Sequence, residues 1–157
     1  MNRVIYRVDD RFIHGQVLEG WINYLKISDI LIVNDVIASD DISMTIYKST
    51  LPINAHVYFY SVNDFLKKLP FKKFKKRVLV LLGSIEDLLK LKNTFSKDIY
   101  YNLGCLSSGS HEISISDTVY MSKHELEDLK HIFAGELVLN VHKVPWEKPI
   151  IITCNEE

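Results

Sequence analysis

A chain of 157 residues that is 47% apolar, 25% charged and 11% aromatic, with 6 Gly and 4 Pro, can bury one good core and is short for two, so 1–157 is read as a single domain. That composition excludes disordered, collagenous and disulfide-framework classes. The longest uninterrupted aliphatic run, Val78 to Leu82, is five residues, against the roughly 20 that span a bilayer, and 1–10 has no signal-peptide core, so an intracellular, soluble protein is expected.

In chain order, apolar runs of strand length alternate with segments of helical period, the pattern of an α/β domain with a mainly parallel sheet. Strands are expected at Arg3–Val8, Ile30–Asn34, His56–Tyr60, Val78–Leu82, Ile99–Asn102, Ile113–Ser116, Val119–Met121 and Leu137–Val144. Several are almost wholly apolar, as a sheet covered on both faces requires. Val17, Leu18, Trp21, Ile22 and Leu25 form one apolar stripe of a helix opening after Gly15. A less regular helix runs from Asp40 to Leu51 and is stopped by Pro52. Ser61 with Asp64, Ser84 with Asp87 and Ser122 with Glu125 each place a hydroxyl at a helix N-cap and a carboxylate at N3. The last helix buries Leu126, Leu129 and Phe133 and ends near Gly135, which suits a left-handed cap. Cys105 and Cys154 form no C-x-x-C and read as small core or loop residues.

The net charge of −1 is unevenly spread: 5 Lys+Arg against 8 Asp+Glu over 1–66, seven basic residues and no acid over 67–77, and 7 against 12 over 78–157. The lysine-rich segment is either a solvated surface or a patch attracting an acidic partner or a membrane face. Nucleic acid is set aside as a partner, because the rest of the chain is acidic and has no zinc-finger, helix-turn-helix or RNP-like pattern.

Ligands of open α/β sheets bind outside the carboxyl ends of the strands. Those loops are Asp9–Gly15, Asp35–Asp40, Ser61, Gly83–Ser84 and Gly104–His111. The first is the richest: R-V-D-D-R-F-I-H-G-Q-V over 7–17. His14 stands just before a helix N-terminus, where unpaired N–H groups and the helix dipole stabilise an anion. Gly15 removes a side chain that would crowd that approach. Arg11 offers a planar fork of donors for phosphate oxygens, and Asp9 or Asp10 holds that arginine or orients the imidazole. A neutral imidazole is nucleophilic and titrates near physiological pH, so these groups suit a phosphorylated histidine.

The segment D-D-R-F-I-H-G-Q-V resembles the phosphorylation-loop signature D-x-R-L-I-H-G-Q-V of the enzyme IIB subunit of the mannose/fructose/sorbose family of the phosphoenolpyruvate-dependent sugar phosphotransferase system (PTS). Asn34, Asp35, Ala38 and Asp40, then Ala55–Val57, Asn102–Gly104 and Val144–Pro145 fit the same family in order. The resemblance implies a three-layer α/β/α sandwich with a mostly parallel sheet, no cofactor and no metal. It implies that His14 accepts a phosphoryl group through Nδ1 from phosphohistidine on a IIA subunit or domain. His14 then passes the group to a sugar entering through the IIC/IID membrane components, at whose cytoplasmic face the protein would sit. Arg11 matches the phosphate-binding arginine, while Arg7 and Asp9 match loop-shaping positions, with Asp10, Gly15, Gln16, Asp35 and Ser84 around them. A small homo-oligomer is compatible with it. The chain departs from the family after Gly104, where Cys105, Leu106, Ser107 and Ser108 replace a second glycine and a basic residue.

Other readings have less behind them. Asp9–Asp10 would suit a magnesium-binding receiver domain, but 56–61 lacks the phosphorylatable aspartate. A phosphohistidine hydrolase or mutase needs a base and a second pocket that no motif supplies. A regulatory protein that kept the fold and lost transfer would have lost His14 or Arg11, and both are present. Asp35 reads equally as a loop-closing carboxylate, and Ser84 most simply as an N-cap. His124 and His131 read as exposed helix polarity, whereas His111, on a strand-end loop, stands nearer the site. His56 and His142 have no pattern around them, and Trp21 with Tyr100–Tyr101 reads as packing.

Overall fold

The computed structural model describes residues 1–153; Cys154 lies outside them. Seven strands form one sheet in the order β3-β2-β4-β1-β5-β8-β9. They are β1 (Val4–Asp9), β2 (Asp29–Val33), β3 (His56–Tyr60), β4 (Val78–Leu82), β5 (Ile99–Cys105), β8 (Leu139–Val141) and β9 (Ile150–Ile152). All neighbours are parallel except β8 and β9. The central strands β1 and β4 are buried at every position, which is why their sequences are runs rather than alternations; the edge strand β3 is the most exposed of the parallel set.

Alternation within each run assigns the two faces. Val4, Tyr6 and Val8 join Leu31, Val33, Val78, Val80 and Leu82 on one side, under Phe65 of α3 (Val62–Lys68), Leu88 of α4 (Ile85–Lys90) and Leu129 of α5 (Lys123–Ile132). Ile5, Ile30, Ile32, Leu79 and Leu81 face the other way, under Val17, Trp21 and Ile22. The result is the expected three-layer arrangement.

Ser61, Ser84 and Ser122 each accept from the N3 backbone N–H, at 3.1, 3.1 and 3.0 Å. Only Ser122 gains the reciprocal bond, since Glu125 alone has the extra methylene that reaches back, at 2.9 Å. Gly135 takes φ +74 just beyond α5.

Several boundaries differ from expectation. The segment after Gly15 is a π-helix over Val17–Asn23, closed by Tyr24 N to Glu19 O (3.3 Å) and Ile27 N to Ile22 O (2.9 Å). The wide turn sets Trp21 and Ile22 side by side in the core. The 40–51 helix begins at its Asp40 cap as α2 (Asp41–Thr50), and a separate turn, α1 (Asp35–Ala38), precedes it on an Asn34 cap. The 113–121 region forms a small antiparallel pair apart from the sheet, β6 (Ile113–Ser114) with β7 (Tyr120–Met121). The last expected strand shortens to β8, and β9, unforeseen because three successive isoleucines carry no alternation, returns beside it.

Candidate functional site

β1 ends at Asp9, and the chain turns back over the carboxyl end of the sheet through 10–14 before entering helix at Gly15. Phe12 takes φ +57 in that turn, and its ring lies where Gly83, at the end of β4, leaves room: a Cβ there would stand 2.6 Å from Phe12 Cζ. Tyr47 of α2 meets the same ring edge-on, 6.1 Å between centroids. The loop is thus wedged in place by an aromatic side chain, which offsets the cost of a left-handed residue.

Asp9 is fully buried and organises everything around it. Its Oδ2 accepts from Arg7 Nη2 at 3.0 Å and pairs with His14 Nε2 at 2.7 Å, while its Oδ1 accepts the Arg11 N–H at 3.0 Å. With the carboxylate on Nε2, the proton resides there and the lone pair is left on Nδ1. Arg11 Nη2 stands 3.1 Å from that Nδ1. Arg11 is exposed, whereas the His14 side chain is 14% accessible.

Arg7 is the buried cation that faces the Asp9 carboxylate. It donates to Asn102 Oδ1 at 2.6 Å and lies 5.0 Å from the Trp21 ring centre. Burial pushes the Arg7 pKa down and Asp9 pulls it back up, and a guanidinium so placed stays charged. Gly104 on β5 lies flush against it: a Cβ there would overlap the guanidinium carbon and both terminal nitrogens. Asn102 in turn donates to Asn140 O (3.2 Å) and His142 O (3.1 Å), tying β5 to β8.

The structure therefore brings Arg7, Asp9, Arg11 and His14 into one constellation, and of the two expected roles Asp9 takes that of orienting the imidazole. The Arg11 guanidinium pairs with no carboxylate among the described residues; Asp9 takes only the Arg11 backbone N–H and gives its other oxygen to Arg7 and His14. Asp10 turns away and accepts the N–H groups of Ser107 (2.7 Å) and Ser108 (2.8 Å), latching the 104–111 loop. Burial raises the Asp10 pKa, but those two bonds together with the Ser108 and Cys105 side chains outweigh it and hold the carboxyl below its usual range. His111 reaches the same loop through Ser107 O at 2.6 Å.

Gly15 relieves no crowding within the chain, since a Cβ there meets nothing within 4 Å. Gln16 sits in the first helical turn with its side-chain oxygen buried and unpartnered among the described residues. Asp35 proves a loop-closing carboxylate, accepting the Val62 N–H at 2.9 Å across 27 residues. Ser84 is spent as the α4 cap. Asn102, Trp21 and Gly104 are supports that the sequence does not mark as such; N-L-G at 102–104 is the visible trace of two of them.

Oxygens of Asp9 and Asp10 and the sulfur of Cys105 lie within 4.8 Å of one another. They do not make a fitting metal set. Both carboxylates are already spent on donors, and burial first, then the two aspartates, raise the Cys105 pKa away from the thiolate a metal needs. Among the described residues, no helix is long and apolar enough to cross a membrane.

Residues 3–153 match the family model "PTS system sorbose subfamily IIB component". The fructose-specific EIIB component of Bacillus subtilis (strain 168) is 26% identical over 146 residues, 92% of this chain and 90% of that protein. The mannose-specific EIIAB component of Escherichia coli (strain K12) is 26% identical over 139 residues, 88% of this chain but only 43% of that longer protein. Among solved structures, manxB from Thermoanaerobacter tengcongensis superposes with TM-score 0.77 at 24% identity, covering 97% of this chain and 95% of that one. The IIBSor domain of the sorbose permease from Klebsiella pneumoniae gives TM-score 0.77 at 19% identity over 96% and 93% of the two chains, a likeness of fold. With a family match that runs from the first strand past the last, the chain belongs to the IIB components of the mannose/fructose/sorbose family of the sugar phosphotransferase system.

Proposed function

We propose that this IIB component is a phosphocarrier in which His14 Nδ1 accepts a phosphoryl group from phosphohistidine on a IIA protein and passes it to a sugar delivered by IIC/IID membrane subunits. The observation that carries this reading is the Arg7–Asp9–His14 chain, which commits Nε2 to Asp9 at 2.7 Å and presents Nδ1 beside Arg11.

In the forward step the Nδ1 lone pair forms the new N–P bond while the donor's N–P bond breaks and its electron pair returns to the donor imidazole. His14 keeps its Nε2 proton throughout, so the phosphorylated ring is cationic, and Asp9 offsets that charge. A cationic imidazole is the better leaving group, which suits onward transfer. The exposed Arg11 guanidinium swings from Nδ1 onto the phosphoryl oxygens, and because the transition state is loose, alignment and charge stabilisation suffice. No step requires a metal or cofactor. The same reading places the protein in the cytoplasm, at the membrane face through IIC/IID. The relative named EIIAB supports a IIA partner, since its name joins both letters.

The test is intact-mass and phospho-site analysis after incubation with phosphoenolpyruvate, enzyme I, HPr and phosphorylated IIA. One acid-labile, alkali-stable phosphate on the wild type and none on His14→Ala is expected. Phosphate retained by His14→Ala overturns the assignment.

A further inference from the structure

At the opposite pole of the sheet, where β1 and β5 begin, a cavity of about 650 Å³ opens between the lysine-rich segment and the turn at Lys92–Thr94. It is separated from the His14 site by the length of β1, about 17 Å at 3.3 Å per residue. Arg3 and Lys72 bring two cations to its wall, and Phe71 supplies an apolar surface. Asn93, Ser96 and Asp98 supply groups that bond hydroxyls.

The cations at this pole make no ion pair among the described residues. Arg3 donates to the carbonyls of Phe71 (3.2 Å) and Phe74 (2.6 Å), and no carboxylate among the described residues forms an ion pair with Arg3 or with any basic residue of 67–77. Among the described residues of the wall itself Asp98 is the one acid, beside the two cations Arg3 and Lys72. The turn that carries Lys72 over the cavity is entered through Leu69 at φ +42, a conformation a leucine adopts only when the surroundings impose it. The volume is that of a small-ligand site.

We infer that this cavity binds a phosphate carried on a polyhydroxylated carbon skeleton. The cations take the phosphate, the neutral polar groups and Asp98 take the hydroxyls, and Phe71 covers a carbon face. Two sources offer that chemistry: a free sugar phosphate and the phosphoglycerol headgroup of an anionic lipid. The site is independent of phosphoryl transfer at His14.

Calorimetric titration of the full chain with glucose 6-phosphate, glucose and inorganic phosphate tests it, beside flotation with phosphatidylglycerol/phosphatidylcholine vesicles. Glucose 6-phosphate is expected to bind at least tenfold more tightly than glucose or inorganic phosphate. Lys72→Gln, on an exposed side chain, and Arg3→Gln should each weaken it at least tenfold, and His14→Ala should leave it unchanged. Vesicle binding that Lys72→Gln abolishes, without glucose 6-phosphate binding, assigns the lipid source. The inference is overturned if neither probe binds, if inorganic phosphate binds equally well, or if Lys75→Gln/Lys76→Gln outside the cavity weakens binding as much as Lys72→Gln. Loss of sugar phosphate binding in His14→Ala also overturns it, by placing the ligand at the other pole. None of these readouts needs phosphoryl transfer, so failure here and failure at His14 are told apart.

Discussion

Replacing Asp9 by Asn keeps the shape of the side chain and removes its charge, and two consequences separate cleanly. Asp9 and Arg7 are both wholly buried, 3.0 Å apart, and among the described residues Asp9 is the acid paired with that cation. Leaving a buried charge without its partner costs about 3–5 kcal/mol of stability. The second effect is on chemistry. A charge-assisted hydrogen bond of the kind His14 Nε2 makes at 2.7 Å is worth about 1.5–3 kcal/mol, which at 1.36 kcal/mol per decade becomes a roughly 10- to 150-fold slower phosphoryl transfer. The slowing arises because an asparagine no longer imposes the Nε2–H tautomer and no longer offsets a cationic phosphoimidazole. Urea unfolding gives the first number, and rapid-quench transfer from phosphorylated IIA gives the second, measured where the variant is still folded. Nitrogen-15 NMR of His14 supplies the direct readout: the wild type should hold the proton on Nε2, and the variant should populate both tautomers. A variant that transfers within twofold of the wild type while losing stability would refute the orienting role and leave Asp9 as a structural counterion alone.

The other predictions address the supports and the margins of the site. Gly104→Ala drives a methyl into the Arg7 guanidinium, so stability should fall by about 3 kcal/mol or more and His14 phosphorylation should slow with it, by unfolding and transfer assays together. Ser84→Ala removes only a cap, so it should cost about 1 kcal/mol in a denaturant titration and leave transfer unchanged; a tenfold slower transfer would restore Ser84 to the site. Burial pulls the pKa of His142 below its ordinary value of 6.5, with the Arg7 charge acting the same way. The unfolded chain therefore takes up the proton first, so stability is lost as pH falls below about 6.5. Denaturation at pH 7.5 and 5.5 should show that loss, and His142→Phe should flatten the difference.

Legibility in the sequence followed how local the causes are. β3 and β4 fall on their expected residues because each is bounded by turn or cap signals and is apolar at strand length. The serine caps form as expected for the same reason: the hydroxyl and the N–H it accepts from are three residues apart in the chain. β9 was not foreseen because its pairing with β8 is decided by partners nine to thirteen residues away and by no internal alternation in Ile150–Ile152. The π-helix was missed because a stripe at 17, 18, 21, 22 and 25 fits a helix of ordinary or widened turn equally, and the choice lies with what Trp21 packs against.

Within the site, chain-local chemistry named His14, Arg11 and Asp9, and the family resemblance added Arg7, four residues within eight positions. What it left open was the pairing, because a carboxylate at 9 or 10 reaches either arginine in a flexible loop. The choice is settled by residues roughly 95 positions away: Gly104 has no side chain, so Arg7 fits against β5, and Asn102 fixes its far end at 2.6 Å. With Arg7 pinned there, Asp9 faces it inward and Asp10 faces the 107–108 amides. Nδ1 of His14 is exposed to chemistry because of a glycine on another strand. The loop alone names the proposed nucleophile and leaves unnamed what selects its reactive nitrogen.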